Sequence, residues 1–219
     1  MSAEMKADSD SAGVRLNALL AKAGQEPLNP VQAVRFEELL SLILRWGARV
    51  NLTSIRDEEG ILTRHFVESI ACARALPAGV ETLLDFGSGA GFPGVPIALC
   101  RPEITVTLAE SHGKKAAFLQ EAVRVLGVAV KVHVGRAEAL RAVFDCVTLR
   151  AVDKMPQAVE AAGKLVAPGG WMALMSTGKE LSTLKAAAGA EFTWAEPQLL
   201  PGSEDQLLAL GARTISLPA

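Results

Sequence analysis

The sequence is poor in cysteine. Cys72, Cys100 and Cys146 are the only three, and their spacing matches no metal-ligand pattern. An odd, scattered set in apolar surroundings excludes a disulfide framework and fits reduced, buried thiols in a cytosol. Positive charge is not in excess either: 22 Lys and Arg stand against 24 Asp and Glu, a net charge of -2. With a pI of about 6.0, nothing global marks a nucleic-acid binder, and such a partner would have to meet a local basic patch. No uninterrupted apolar run is long enough to cross a bilayer. Residues 1–13 lack the apolar centre of a signal peptide and are expected to be a disordered tail. Internal repeats are absent. What remains is a chain of 219 residues, 50% hydrophobic, enough for a sizeable core in one domain plus an elaboration. A cytoplasmic protein is expected.

Residues 14–75 read as helical. Val14–Ala23 is amphipathic and stopped by Gly24. Asn29-Pro30-Val31-Gln32 predicts an N-cap, a proline in the first turn and a capping-box glutamine. Val31, Val34, Leu39, Ile43 and Trp46 follow at helical spacing. Asp57-Glu58-Glu59 is suited to cap a third helix running to about Ala75. Residues 1–76 are therefore expected to form a helical extension, and 77–219 an α/β domain.

From residue 81 strands and helices alternate. Strands are expected at 81–86, 104–110, 130–134, 144–149 and 170–176, with helices at 93–100, 113–126, 136–142 and 154–166 between them. Apolar strands alternating with helices imply a parallel sheet with right-handed crossovers. After a helix at 180–188, stretches 191–200 and 206–217 read as strands around Pro201-Gly202-Ser203-Glu204-Asp205. They predict a terminal antiparallel hairpin on a Rossmann-like sheet.

The first of these strands runs into Asp85-Phe86-Gly87-Ser88-Gly89-Ala90-Gly91-Phe92-Pro93-Gly94. Three glycines at alternate positions let the backbone turn tightly and pass close to a ligand. A strand end, a glycine loop and a helix start form the nucleotide corner of a doubly wound sheet. Gly89 to Gly94 also satisfies the dinucleotide pattern G-x-G-x-x-G, a weak match on its own. Either cofactor wants an acid at the end of the second strand for a ribose diol. Glu110, about 25 residues after Asp85, occupies that place; a plain acid at a helix start would look the same.

Three features favour S-adenosylmethionine. Asp85 stands before the glycines, where it would repel a pyrophosphate but suit a sulfonium ligand carrying a free amino group. Gly135-Arg136-Ala137-Glu138 follows the third strand and offers backbone groups and a carboxylate to an adenine edge. Pro168-Gly169-Gly170 precedes the fifth strand as a helix-to-strand turn. A class I methyltransferase combines all three in this order. The acceptor narrows by elimination. After the fourth strand the chain reads Thr148-Leu149-Arg150-Ala151-Val152, with no Asn/Asp-Pro-Pro-aromatic tetrad for amino methylation. Cys146 lies inside the strand and is a small apolar core residue rather than a nucleophile for cytosine carbon-5.

The chain resembles the bacterial guanine-N7 methyltransferases of 16S ribosomal RNA, the family called glucose-inhibited division protein B or ribosomal RNA small subunit methyltransferase G. The resemblance rests on residues 51–56 (Asn-Leu-Thr-Ser-Ile-Arg), 64–69 (Arg-His-Phe-Val-Glu-Ser), the loop 85–94, Arg101-Pro102, Gly113-Lys114-Lys115, Gly135 to Glu138, Arg150-Ala151 and Pro168 to Gly170. It covers about residues 45–178. Glu110 stands where the family has Asp, Leu149 where it has Ser, and Lys114-Lys115 where it has Lys-Arg.

The resemblance implies methyl transfer from S-adenosylmethionine to N7 of one guanine, on 16S RNA or a small-subunit particle; another RNA or a small-molecule acceptor is the alternative. It places Asp85, Gly87, Gly89, Gly91, Phe92, Glu110, Ser111, Ala137, Glu138 and Arg150 around the cofactor, with Glu110 at its ribose and Ala137-Glu138 at its adenine. No metal and no catalytic acid–base residue are implied, because N7 carries a lone pair and no proton. Arg150 is the foremost acceptor-side residue, unless it serves as an ion-pair partner of Asp85, Glu138 or Asp153. His65 shares a helix face with Glu68 and is either a pocket-edge histidine, and so a candidate for RNA contact, or a structural one. Lys114, Lys115 and Arg136, with Arg124 and Arg141, are candidates for phosphate contact. A monomer without membrane attachment is expected.

Overall fold

A computed structural model describes residues 11–215. Residues 1–10 of the expected tail lie outside them. Residues 11–13 depart from that expectation, because they begin a helix. Ser11 Oγ accepts from Val14 N at 3.3 Å and caps α1 (Ala12–Lys22). Gly13 N donates to Glu37 Oε1 at 2.8 Å, a close approach that lets α1 lie on α2 (Pro30–Gly47). The Asn29 capping box forms in both directions, with Gln32 N donating to Asn29 Oδ1 at 2.9 Å and Asn29 N to Gln32 Oε1 at 3.2 Å. The inward stripe of α2 is Phe36, Leu39, Leu40 and Ile43, whereas Val31 and Val34 are exposed. Of the expected positions Leu39 and Ile43 belong to that stripe and Trp46 is half-buried, where α1 and the helices Gly94–Cys100 and Gly113–Leu126 pack on α2.

Asp57 caps a third helical run, α3, at Gly60 N (2.7 Å). It comprises Glu58–Gly60, a π-helical turn over Ile61–Val67 and Glu68–Ala75. The strands follow as β1 (Thr82–Phe86), β2 (Thr105–Glu110), β3 (Lys131–Val134), β4 (Phe144–Arg150) and β5 (Val166–Thr177). Between or after them run α4 (Gly94–Cys100), α5 (Gly113–Leu126), α6 (Met155–Gly163) and α7 (Gly178–Ala188). Then come β6 (Phe192–Trp194), β7 (Gln198–Leu199) and β8 (Gln206–Arg213). The sheet order is β3-β2-β1-β4-β5-β8-β6, with β7 also on β8. β1 to β5 are parallel, and β8 runs antiparallel to β5, β6 and β7. The order reverses beside β1, between β2 and β4. A doubly wound sheet opens its ligand crevice at such a point, beyond the strands' C-terminal ends.

Three expected elements differ. The helix at 136–142 is only a 3₁₀ turn, Ala137–Ala139. Ala137 is buried and Leu140 half-buried, while residues 138, 139 and 141–143 are exposed, so no apolar face holds a longer helix on the sheet. Pro168-Gly169-Gly170 lies within β5 rather than before it. Phe144 pairs Val166, yet Cys146 pairs Trp171, so the β5 side bulges here. Gly169 takes φ +77°, and a Cβ on Gly170 would sit 2.8 Å from Asp145 O. The expected strand 191–200 is split into β6 and β7 by Ala195-Glu196-Pro197, and Pro197 has no N–H for a ladder.

The core lies on both faces of the sheet. α6 and α7 cover one face. α4 and α5 cover the other, and α1 to α3 share that same apolar cluster through Leu16, Phe36, Phe66 and Ile70. Phe36 meets Phe66 edge-on at 5.1 Å. The helical layer is thus fixed directly above one wall of the crevice.

Candidate active site

The crevice is a cleft of about 590 Å³ at the C-terminal ends of β1, β2 and β4. That volume falls among cofactor sites, roughly 300–1,000 Å³. Its floor is the glycine loop. Gly87, Gly89 and Gly91 all have positive φ (+71°, +57° and +89°), which a side chain would resist. A Cβ on Gly89 would meet little, its nearest neighbour being Gly87 O at 3.9 Å. This leaves bare backbone facing the cleft. The Phe92–Pro93 peptide is cis, and α4 begins immediately beyond it.

Gly87, Gly89, Phe92, Glu110, Ser111, Ala137, Glu138 and Arg150 line the cleft, as do His65, Lys115 and Arg136. Asp85, Gly91 and Lys114 do not. Asp85 is buried beneath the loop. Its Oδ1 accepts from Thr148 Oγ1 at 2.9 Å, its Oδ2 from Gly94 N at 3.2 Å, and its carbonyl from Ser88 Oγ at 2.9 Å. It therefore braces the loop and the start of α4 and does not face the cleft. Burial pushes its carboxyl up to about 6, against the hydrogen bonds and the charge of Arg150. Gly91 backs onto Val95 and Leu119. Arg124 and Arg141, also exposed, lie outside the lining.

Glu110 ends β2. Its Oε2 accepts from Gly89 N at 2.9 Å and its Oε1 from His112 N at 2.6 Å. Each carboxylate oxygen retains a lone pair, so a vicinal diol can still donate to it. The carboxylate thereby ties the glycine loop to the end of β2 and the start of α5. The donor set fits S-adenosylmethionine: bare glycine backbone, a diol-accepting carboxylate, and the backbone of Arg136 to Glu138 at the far end.

The acceptor side holds the larger corrections. Arg150 pairs with none of Asp85, Glu138 or Asp153. Its Nη2 donates to Glu68 and, at 2.6 Å, to Arg64 O, and its Nη1 reaches Ser69 Oγ at 3.4 Å. Glu68 has no exposed side chain and also accepts from Arg64 Nε at 2.8 Å. Burial pushes its carboxyl up while the two guanidinium groups pull it back. His65 stacks on Phe92, with ring centroids 4.6 Å apart and planes 15° from parallel. Its Nε2 lies 2.7 Å from Thr53 Oγ1. Burial, then the charges of Arg150 and Arg64, lower its pKa to about 3, so the ring is neutral at physiological pH. Leu52, Thr53 and Ser54, with Val152 to Lys154 and Gln157, also line the cleft; sequence reasoning placed none of them at the cofactor or the acceptor, and Asp153 only as a possible partner of Arg150. Ala151 (φ +50°) and Lys154 (φ +51°) hold left-handed conformations that side chains disfavour. Such conformations concentrate at functional loops.

A family model described as GidB, rRNA small subunit methyltransferase G, matches residues 32–204. The chain belongs to this family. It is 36% identical over 207 residues to the ribosomal RNA small subunit methyltransferase G of Roseiflexus sp. (strain RS-1), with 88% of each chain covered. To that of Xanthomonas euvesicatoria pv. vesicatoria (strain 85-10) it is 39% identical over 173 residues, covering 76% of this chain and 80% of the relative. Among solved structures, a methyltransferase from Pyrococcus furiosus superposes with TM-score 0.60 at 14% identity, covering 84% of this chain and 100% of that one. An O-methyltransferase from Bacillus cereus in complex with SAH gives 0.56 at 16% identity, covering 80% and 91%. At such identities the likeness concerns the fold, and the fold is that of class I methyltransferases. Among the described residues no helix is long and apolar enough to cross a membrane.

Proposed function

We propose that this chain transfers a methyl group from S-adenosylmethionine to N7 of one guanine in 16S ribosomal RNA, naked or in a small-subunit particle. The observation that carries the reading is the family match over residues 32–204, joined to a cleft whose glycine loop is tied to Glu110. We read residues 1–76 as a helical extension built onto a methyltransferase domain at 77–219, working as a monomer in the cytoplasm. The core shared by the helices and the sheet supports an integral extension rather than a tethered one.

In this reading Glu110 accepts the ribose hydroxyls, the backbone around Ala137 and Glu138 meets the adenine, and the bare backbone of Gly87 and Gly89 passes the methionine portion. When bound, the cofactor supplies an electrophilic methyl group on a positively charged sulfur. Guanine N7 offers a lone pair and no proton, so no side chain has to remove one first. The neutral His65 agrees with that demand: it lines the cleft as a flat wall on Phe92 and would add no positive charge to a site holding a sulfonium. Alignment of acceptor and donor then carries the rate, with on the order of 7–11 kcal/mol available from orientation at best. Lys115, Arg136 and Lys154 line the cleft and join no ion pair among the described residues. They supply the local cationic rim that an RNA backbone needs on a chain with no net positive charge.

The test uses labelled S-adenosylmethionine and small-subunit RNA from cells lacking the modification, as free RNA and as particles. Label on a single guanine, located by borohydride reduction and aniline scission, is the expected result. Folded protein that binds the cofactor yet labels no guanine would overturn the reading, and sedimentation as a dimer would overturn the monomer.

A further inference from the structure

Three walls of the cleft meet at one turn of α3. The acceptor loop, Ala151 to Lys154, leaves β4 through Arg150. The cofactor loop presents Phe92. The third wall is Leu52 to Ser54. Residues 64, 65 and 68 touch or anchor all three. Arg64 and His65 lie in the π-helical turn and Glu68 follows directly after it. Such turns are rare and concentrate at functional sites. His65 holds Phe92 by stacking and Thr53 through Nε2. Thr53 Oγ1 in turn accepts from Ile55 N at 3.2 Å, which fixes the 52–54 segment. Arg150 donates to the Arg64 carbonyl inside the turn and to the Glu68 carboxylate just beyond it.

A carboxylate with no exposed side chain, shared by two arginines, is a poor means of stabilising a fold. Removing two charges from water costs about as much as their attraction returns, and apolar pairs of similar volume often do as well. The pair does fix a direction. Arg150 spends donors on the Arg64 carbonyl, on Glu68 and on Ser69, which sets where β4 ends relative to α3. Ala151 follows at once in a left-handed conformation, and a backbone held there must be constrained from outside.

We propose that Glu68 is a positioning residue for methyl transfer: through Arg150 and the Arg64 carbonyl it fixes the acceptor loop against the His65–Phe92 wall, setting where the acceptor base sits. The proposal rests on the methyltransferase reading above. Glu68 touches neither the glycine loop nor Glu110, so it acts on turnover and not on cofactor binding.

Glu68→Gln keeps the shape but leaves Arg150 without its counter-charge. Its turnover number should fall at least tenfold at saturating RNA and cofactor, while the S-adenosylmethionine dissociation constant, by calorimetry, stays within about threefold of wild type. The double variant Glu68→Met/Arg150→Met removes both charges and should fold at least as stably as E68Q, yet remain at least tenfold slow. Wild-type turnover in folded E68Q, or in the double variant, overturns the proposal, because the pair is then structural only. A cofactor affinity that falls in step with turnover overturns it too. Should E68Q fail to fold, Glu68→Asp, which keeps the charge but withdraws it by one methylene from Arg150, decides by the same two readings. Wild-type protein assayed alongside separates the two claims: if it labels no guanine, the functional reading fails first.

Discussion

Replacing Asp85 by Asn tests the placement of this carboxylate directly. The side chain is buried beneath the glycine loop and accepts from Thr148 Oγ1 and Gly94 N. Its pKa is pushed up from 3.8 to about 6. The native state therefore holds the Asp85 proton more tightly than the unfolded chain does. Stability from this group is complete below about pH 4 and is lost as pH rises through about 6. A rise of about two units corresponds to about 3 kcal/mol. His65 pulls the other way: its pKa is lowered to about 3, so its contribution is present above pH 6.5 and lost on acidification. The wild-type profile mixes the two, and the difference between wild type and D85N isolates Asp85. Asparagine fits the site, with its oxygen accepting from Gly94 N and its amide donating to Thr148 Oγ1. The Thr148 hydroxyl then turns to Leu84 O, 3.4 Å away. Urea unfolding at several pH values from 4 to 7.5 should show D85N gaining about 2–3 kcal/mol on wild type across that range. Parallel profiles would refute the reasoning, because they would mean that Asp85 titrates as in the unfolded chain.

Gly91→Ala should lose about 2–4 kcal/mol in the same urea assay, since it adds a left-handed penalty to a Cβ placed 2.7 Å from Val95 Cγ2; a loss below about 1 kcal/mol contradicts the loop geometry. Glu110→Gln turns an amide N–H toward Gly89 N or His112 N and should weaken S-adenosylmethionine binding at least about tenfold by calorimetry; unchanged affinity removes Glu110 from the site. Changing Lys115, Arg136 and Lys154 together to Gln should lower the slope of log K for RNA against log salt by roughly two to three; an unchanged slope places the RNA elsewhere.

Much of this architecture is written locally. The Asn29–Gln32 capping box, the helix over 113–126 and the strand that feeds the glycine loop each depend on residues a few positions apart, and the structure has them where the spacing puts them. Where a second element decides, the sequence is silent. On α2 the exposed Val31 and Val34 differ from the buried Leu39 and Ile43 only in what packs on them. The stretch 136–142 has helix-forming residues but no apolar face. Pro168 to Gly170 has the composition of a turn and becomes a bulge, because Val166 already pairs with Phe144. Arg150 and Glu68 lie 82 residues apart, so no window of local pattern contains both. One signal was available: Arg64 and Glu68 stand four apart on α3, the spacing of an intrahelical pair, beside a histidine in the same short motif.

The two strand-end carboxylates show how far parity carries such inference. Asp85 and Glu110 close adjacent parallel strands, and the sequence assigns both to the cofactor. Side chains alternate along a strand. Leu83 belongs to the cluster under the helical layer, whereas Leu84 and Phe86 belong to the opposite one. Asp85 therefore points with Leu83, one residue before the end of β1, and meets the start of α4. Val106 and Leu108 face that same layer, so Glu110 has the same parity but is the last residue of β2, beyond the packed rows. The glycine loop crosses there instead of a helix. Facing alone does not separate them; distance from the strand end does. Asp85 pairs with Leu108, so Glu110 lies two residues further along the paired strands; Asp85 ends as a brace beneath the loop and Glu110 at the cleft. The Glu110 carboxylate accepts from Gly89 N at 2.9 Å, so the acid at the end of β2 holds the glycine loop at the cleft.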